Sequence, residues 1–134
     1  MSRDNLALVL RFEDSWSRAD LEAALACVAS DFEFDWSNSI GPFKGTYRGH
    51  EGLRKFWSEV REAWENFSPQ AEDHIDCGDD RLITLDVVRA RGRGSGIDME
   101  AHGAMLWTLR GGKIARIKMF QNKDEALRAV GESA

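Results

Sequence analysis

The sequence predicts an α+β fold, with helices in its first half and antiparallel strands in its second. Residues 49–67 carry apolar side chains at helical spacing, and residues 81–110 read as two long strands joined by a Gly-rich turn. The 134 residues match the size of one domain, so we expect a single unit over 1–134.

The helices come first along the chain. Residues 4–19 carry a broad apolar stripe, and Asp20 is a suitable N-cap for a short second helix. Residues 32–36 then alternate aromatic and acidic side chains, which is typical of a half-buried strand. The turn-rich segment 37–46 is longer than the usual connection in a compact domain, which makes it a candidate binding loop.

The third helix is the clearest element of the pattern. We predict it over 49–67, ended by Pro69, because charged residues cover the side opposite to an apolar stripe. That stripe requires a broad apolar surface to pack against. It consists of Leu53, Phe56, Trp57, Val60, Trp64 and Phe67.

The long hairpin carries an internal check of its register. With Gly94 and Ser95 as the turn, Arg91 faces Asp98 across strands 81–93 and 97–110. The next pair on that face, Arg89 and Glu100, is also oppositely charged, which favours this register. A further strand follows at 114–120, and an Asn122-x-x-Glu125 capping box opens a final helix that is predicted to end at Gly131.

The same register sorts the strand residues into two faces. Leu82, Thr84, Asp86 and Val88 point towards the third helix. The opposite face is also apolar, and the chain has no spare long helix to cover it, so we expect a homodimer packed sheet to sheet. The residues predicted to form this interface are Ile83, Leu85, Val87, Ala104 and Leu106.

Composition excludes several classes of protein. The net charge of −5 argues against general nucleic-acid binding, and no apolar stretch is long enough for a membrane helix. The N-terminus lacks the pattern of a signal peptide, so we expect a cytoplasmic protein in which Cys27 and Cys77 are free thiols. The three scattered histidines form no metal-binding pattern, and we expect neither a metal nor a cofactor.

Five short segments of the chain carry a resemblance to one family. They are Ser30–Phe34, Tyr47–Leu53, Gly92–Gly96, Trp107–Ile114 and Asp124–Leu127. With them the chain resembles, over nearly its whole length, the SnoaL-like branch of the nuclear transport factor 2 (NTF2)-like superfamily. The resemblance implies an NTF2-like cone, a curved antiparallel sheet wrapped around a long amphipathic helix, with an apolar cavity. Relatives are often dimers and serve as isomerases, polyketide cyclases, dehydratases, epoxide hydrolases or binding proteins.

The functional residues of these relatives do not carry over. At the approximate positions of the steroid-isomerase apparatus this chain has Trp36, Phe12, and Ala104 or Met105, none of which has a carboxyl or hydroxyl group. The cyclase relatives place an Asp near the end of the last strand, where this chain has 120–122, Phe-Gln-Asn. An amide cannot act as a general acid at neutral pH, and no Asp-Arg-Asp set of the hydrolase kind is found.

Asp86 is the first candidate for chemistry. Its predicted position is mid-strand on the helix-facing side, opposite Gly103, where a missing side chain leaves room for a ligand. A carboxyl in apolar surroundings has a raised pKa and can act as an acid or base. The plainer alternative is a register shift that turns Asp86 outward, or a role in a buried polar network.

The histidines and arginines are weaker candidates. His102 is a possible proton shuttle, but the register places it beside Glu100 on the opposite face, where an ion pair or interface role fits better. His50 fits a structural role at a helix start, and His74 fits an exposed edge. Arg89, Arg91 and Arg93 could form an anion site, although the first two have predicted acidic partners and only Arg93 has none.

The aromatic and methionine residues predict an adaptable apolar pocket. Together with Thr84 they make up the predicted ligand pocket: Trp16, Trp36, Tyr47, Trp57, Met99, Met105 and Trp107. The function that follows is binding of a small, largely hydrophobic or aromatic molecule, with Asp86 as the acid or base of a cofactor-independent isomerase, cyclase or dehydratase. The alternative is a non-catalytic ligand-binding or dimerisation module.

Overall fold

A computed structural model describes residues 2–39 and 44–133. The segment 40–43, in the middle of the predicted binding loop, therefore lies outside the described residues. The elements run α1 Ser2–Ser17, α2 Leu21–Cys27, β1 Val28–Asp35, β2 Thr46–Arg48, α3 Gly49–Ala63, β3 Trp64–Gly78, β4 Arg81–Gly92, β5 Asp98–Arg110, β6 Lys113–Phe120 and α4 Lys123–Ser133.

The strands form one curved six-stranded sheet in the order β2-β1-β6-β5-β4-β3. Neighbouring strands are antiparallel except for β1 and β6, which run parallel. The predicted α+β class and the predicted N-cap are both confirmed, because Asp20 accepts a hydrogen bond from the Ala23 N–H. The short strand β2, which pairs with β1, was not predicted.

The third helix is shorter than predicted. It ends at Ala63, and Trp64 already has extended backbone angles at the start of β3. Pro69 does not end a helix but lies inside β3, opposite Val88. A proline fits there because β3 is an edge strand. Pairing with β4 therefore overrides the helical spacing of Trp64 and Phe67, and the Phe67 side chain reaches the core from a strand.

The register predicted for the long hairpin is confirmed. Arg91 pairs with Asp98, Arg89 with Glu100 and Asp86 with Gly103, as the charge pattern indicated. The turn is wider than two residues, since the strands end at Gly92 and resume at Asp98. This register places Leu82, Thr84 and Asp86 on the face that packs against α1 and α3, where all three are buried.

The opposite face, for which we expected no long helix within the chain, is covered in part by the short helix α4. Helix α4 packs there, with Ala126 fully buried and Val130 against the same cluster. Small residues let this short helix lie close to the sheet, so a longer helix is not needed. The predicted interface residues Ile83, Leu85, Ala104 and Leu106 belong to that cluster, and Val87 is buried within the chain as well. Helix α4 also continues past Gly131 to Ser133.

Candidate functional site

Two adjoining cavities lie on the face of the sheet that carries Asp86. The large cavity, about 320 Å³, has a wall of residues from β4, β5 and β6, among them Met99, Met105 and Met119. The inner cavity, about 20 Å³, extends towards α1 and is lined by Glu13, Trp16 and Trp107. Both contain Trp36, Asp86 and Met105 in their walls, so the two spaces adjoin.

Asp86 lies where the hairpin register predicts. Its side chain is 3% exposed and lines both cavities. Both carboxyl oxygens are shielded from solvent, and no donor among the described residues is in hydrogen-bonding geometry with either. Gly103, directly opposite, also lines the large cavity. A Cβ there would lie 3.2 Å from the Phe120 carbonyl oxygen, so this glycine also permits close approach of β6.

Burial raises the pKa of the Asp86 carboxyl, while the neighbouring Glu13 and Thr84 side chains oppose the rise. An isolated carboxylate in an apolar interior is unfavourable, which shifts its equilibrium towards the protonated form. A carboxyl of this kind can hold a proton at a higher pH than an exposed aspartate. A buried carboxyl with a raised pKa is a candidate proton donor or acceptor.

Glu13 is a second buried carboxyl that the sequence analysis missed. It is 4% exposed and lines the inner cavity together with Asp86. Its Oε1 accepts a hydrogen bond from the Ala71 N–H at 3.1 Å, whereas its Oε2 has no partner among the described residues. Burial and then repulsion by Asp86 raise the pKa of Glu13 to about 9. The missed signal is its spacing, four residues after Val9 and three before Trp16 on the apolar side of α1.

Thr84 has a different role from the one predicted. Its Oγ1 accepts a hydrogen bond from the Trp107 Nε1–H at 2.8 Å, and it is not among the residues that line the two cavities. Buried indoles require such a partner, so Thr84 fixes the Trp107 ring in the inner cavity wall. Thr84 therefore shapes the site through Trp107.

Most of the residues predicted to form the ligand pocket line one of the two cavities, whereas Trp57 and Tyr47 pack behind the residues that do. Trp16, Trp36 and Trp107 line the inner cavity, as does Met105, and Met99 lines the large one. Trp57 instead stacks on Trp16 with ring centroids 4.2 Å apart. The buried Trp36 Nε1–H has no acceptor among the described residues, which leaves one unpaired donor in the same wall as Asp86.

Tyr47 belongs to the layer behind the wall. Its hydroxyl donates a hydrogen bond to Glu59 Oε1 at 3.0 Å, and its ring packs edge-on against Phe56. Burial, followed by the effect of Glu59, raises the pKa of Tyr47 to about 12. Tyr47 was predicted to line the ligand pocket, but it is not among the residues that line the two cavities, and its hydroxyl is bonded to α3.

His102 borders the large cavity, but its side chain is directed elsewhere. It is 61% exposed, and its Nε2 lies 3.1 Å from Glu100 Oε2. The register places it on the face opposite to Asp86, beside Val87. His102 and Asp86 therefore do not form a pair across the cavity.

The remaining candidates have structural contacts. Arg93, which had no predicted partner, donates to the carbonyl oxygens of Arg61 and Trp64 at the end of α3. The ring Nε2 of His50 lies 3.3 Å from the Val28 carbonyl oxygen, near the start of α3. No group of three His, Cys, Asp or Glu side chains suited to a metal occurs in ranges 2–39 and 44–133. Within those ranges, no helix is long and apolar enough to cross a membrane.

Comparison with known proteins adds a family match and solved structures of the same shape. Residues 9–117 match the family model of the SnoaL-like domain. No curated protein matches the chain. Among solved structures, TerC co-crystallised with polyporic acid is 21% identical with a TM-score of 0.78, over 96% of this chain and 98% of that one.

Two further structures agree with this fold. A Mycobacterium tuberculosis protein in complex with estradiol-17β-hemisuccinate is 19% identical, with a TM-score of 0.76 over 90% of this chain and 95% of that one. An NTF2-like protein from Burkholderia pseudomallei is 19% identical, with a TM-score of 0.78 over 95% of this chain and 97% of that one. The curved sheet, its cavity and the match over most of the sequence identify the chain as a member of the SnoaL-like domain family with the NTF2-like fold.

Proposed function

We propose that the chain binds a small, largely apolar molecule of aromatic or polycyclic character, and that Asp86 exchanges a proton with it. The reaction class is a cofactor-independent isomerisation, cyclisation or dehydration, in which one carboxyl removes a proton from carbon and returns one. No metal or redox group takes part in such a step. The proposal rests on the cavity and on the state of Asp86.

The size and lining of the large cavity support the choice of ligand. Its volume of about 320 Å³ lies at the lower end of the roughly 300–1,000 Å³ usual for ligand pockets. Three methionines in the wall can adjust to different ring systems because their side chains are unbranched and flexible. A compact ring system fits this space better than a long flexible chain does.

The state of the Asp86 carboxyl is the observation that carries the proposal. Buried polar groups in native proteins are nearly always hydrogen-bonded, and each exception calls for an explanation. Asp86 has two unpaired oxygens in the wall of an apolar cavity. An aspartate with a purely structural role is expected to accept hydrogen bonds from neighbouring donors. An aspartate that contacts a ligand does not need such donors within the protein.

The ligands of two fold neighbours point in the same direction. TerC was crystallised with polyporic acid, and the Mycobacterium tuberculosis protein was crystallised with estradiol-17β-hemisuccinate. Because these proteins are only 21% and 19% identical to this chain, the compounds serve here as probes, not as assigned ligands.

The test follows deuterium uptake by a bound probe. Aromatic and steroid ketones are screened by thermal shift, and those that bind are incubated with protein in D₂O and analysed by mass spectrometry. Asp86→Asn is expected to lower the exchange rate by about 100-fold or more, the usual contribution of a general acid–base group. Asp14→Asn, an exposed change on α1, is the control and keeps the wild-type rate.

The alternative is ligand binding without chemistry, and one observation favours it. Both Asp86 oxygens are shielded, so a ligand that contacts them must first displace neighbouring side chains. A probe that binds but gains no deuterium in wild-type protein would establish this alternative. Equal exchange in wild type and Asp86→Asn would also remove Asp86 from the reaction.

The homodimer and the cytoplasmic location belong to the proposal as well. Since α4 covers much of the predicted interface, the dimer has to use other surface than Ile83 and Ala104. Light scattering at micromolar concentration is expected to give twice the chain mass of 15.1 kDa. A monomer under these conditions would remove the dimer.

A further inference from the structure

Two elements far apart in sequence bring two carboxyl groups together in the interior. Glu13 comes from α1 and Asp86 from β4, and both line the inner cavity. Each is more than nine-tenths buried. Like charges in such a space repel strongly, so the two groups cannot both ionise freely.

The hydrogen bonds available to this pair are incomplete. Glu13 Oε1 is fixed by the Ala71 N–H, next to a register irregularity between Ala71 and Asp73 in β3. Glu13 Oε2 and both Asp86 oxygens have no donor among the described residues. A carboxylate has no proton to donate, so these oxygens can bond to each other only when one of the two groups is protonated.

Among the described residues, the walls of the large and inner cavities supply no cation to replace that proton. Besides the pair, the only titratable residue described in those two walls is His102, whose side chain lies beside Glu100 on the opposite face. Glu13 also lines a third pocket, together with Asp14, Glu72 and Arg89. The arginine there is paired with Glu100, and Asp14 is paired with Arg18.

We propose that Glu13 is the proton partner of Asp86: the two carboxyls hold one proton between them, and Glu13 thereby sets the charge that Asp86 presents to the cavity. This inference deepens the proposed function and rests on it for its link to chemistry. Glu13 acts here as a positioning residue, and Asp86 is the group that meets the ligand.

The order of ionisation follows from the causes of the shifts. Repulsion by Asp86 is part of what raises the pKa of Glu13, which means that Asp86 is already charged when Glu13 loses its proton. A proton on Glu13 that faces Asp86 in turn lowers the pKa of Asp86, against the effect of burial. Between the two steps the pair carries one negative charge and one proton. In our proposal the charge lies on Asp86 and the proton on Glu13.

This arrangement makes Asp86 the base of the pair. A proton removed from a bound ligand passes to the Asp86 carboxylate, which exchanges it with solvent before the carboxyl returns a proton to the ligand at a different atom. Glu13 remains protonated throughout, so the pair never has to hold two charges. A ligand without a negative charge of its own suits this site best, because the charge of the pair has no cation beside it.

The test is a carbon-detected NMR titration of the two side-chain carboxyl carbons between about pH 4 and about pH 10. In wild-type protein the Glu13 midpoint is expected near pH 9. In Asp86→Asn it is expected to fall, because the repulsion is removed while the burial remains. A wild-type Glu13 that titrates near its ordinary value of 4.5, or a midpoint unchanged in Asp86→Asn, would overturn the inference.

A stability measurement covers the case in which Asp86→Asn does not fold. The raised pKa of Glu13 stabilises the fold fully below about pH 4.5, and this contribution is lost as the pH rises through about 9. The Tm of the wild type should therefore fall across that window. The fall in Tm should be smaller in Glu13→Gln, because its amide stays neutral. In Asp14→Asn the fall in Tm should equal that of the wild type. Equal falls in wild type and Glu13→Gln would also overturn the inference.

Neither the NMR titration nor the Tm measurement needs a ligand. A failure of the proton-partner inference can therefore be distinguished from a failure of the proposed function. A normal titration of Glu13 together with Asp86-dependent deuterium uptake would remove the proton partner and keep the proposed function. The expected titration without binding of any probe would keep the pair and remove the proposed function.

Discussion

Thr84 and Asp86 lie two positions apart on β4, and their buried polar side chains differ in their hydrogen bonds. The Thr84 hydroxyl is paired with the Trp107 indole at 2.8 Å, whereas the Asp86 carboxyl has no donor among the described residues. Both face α1 and α3, so burial alone does not separate them. Their hydrogen-bond partners do, and these give Thr84 a structural role and Asp86 the candidate chemical one.

Replacement of Thr84 by Val should measure the structural role. The change leaves the buried Trp107 N–H without an acceptor, and we expect a loss of about 1–3 kcal/mol in the free energy of unfolding. Thr84→Ser keeps the hydroxyl and is the matched control. Urea denaturation compares the two, and a Thr84→Val protein as stable as wild type would contradict the assigned hydrogen bond.

The position of Asp86 could be predicted from the sequence, but that of its partner was not. Opposite charges on Arg91 and Asp98 fix the hairpin register, and the register fixes the face of every residue between them. Glu13 has no such internal marker, because it takes part in no strand pairing. Its spacing places it on the apolar side of α1, but the β3 segment that packs against it is distant in the sequence.

At the scale of elements, the sequence pattern predicted where the helices lie along the chain. It did not predict where α3 ends or which sheet face α4 packs against. Trp64 and Phe67 continue the helical spacing of α3, yet both lie in β3 because pairing with β4 begins at Trp64. Helix α4 looked too short to cover a sheet face, yet it does so. Both errors concern contacts between distant segments, which override local preference.

Helix α4 offers a matched pair of adjacent positions that tests its packing. Ala126 is fully buried against the sheet, whereas Leu127 is 40% exposed. We expect Ala126→Glu to cost at least about 2 kcal/mol of unfolding free energy, because it buries a charge without a partner. Leu127→Glu should change stability by less than about 0.5 kcal/mol. Equal losses in denaturant unfolding would contradict the packing of α4.

At the scale of the whole molecule, the two faces of the sheet are covered differently. Helix α4 packs against part of one face, while α1 and α3 lie over the other face, where the two cavities are found. The family accounts for the fold around these cavities, and it does not determine the chemistry within them. The chemistry proposed above depends on the carboxyl groups of Glu13 and Asp86, which line the inner cavity.

The most direct test of the account is methyl NMR of protein labelled at methionine. Three of the chain's four methionines, Met99, Met105 and Met119, line the large cavity. Titration with the tightest-binding ketone of the thermal-shift panel should move all three methyl signals together, with one common Kd. A panel in which no compound moves them, or a bound compound that leaves them in place, would contradict a ligand site beside Asp86.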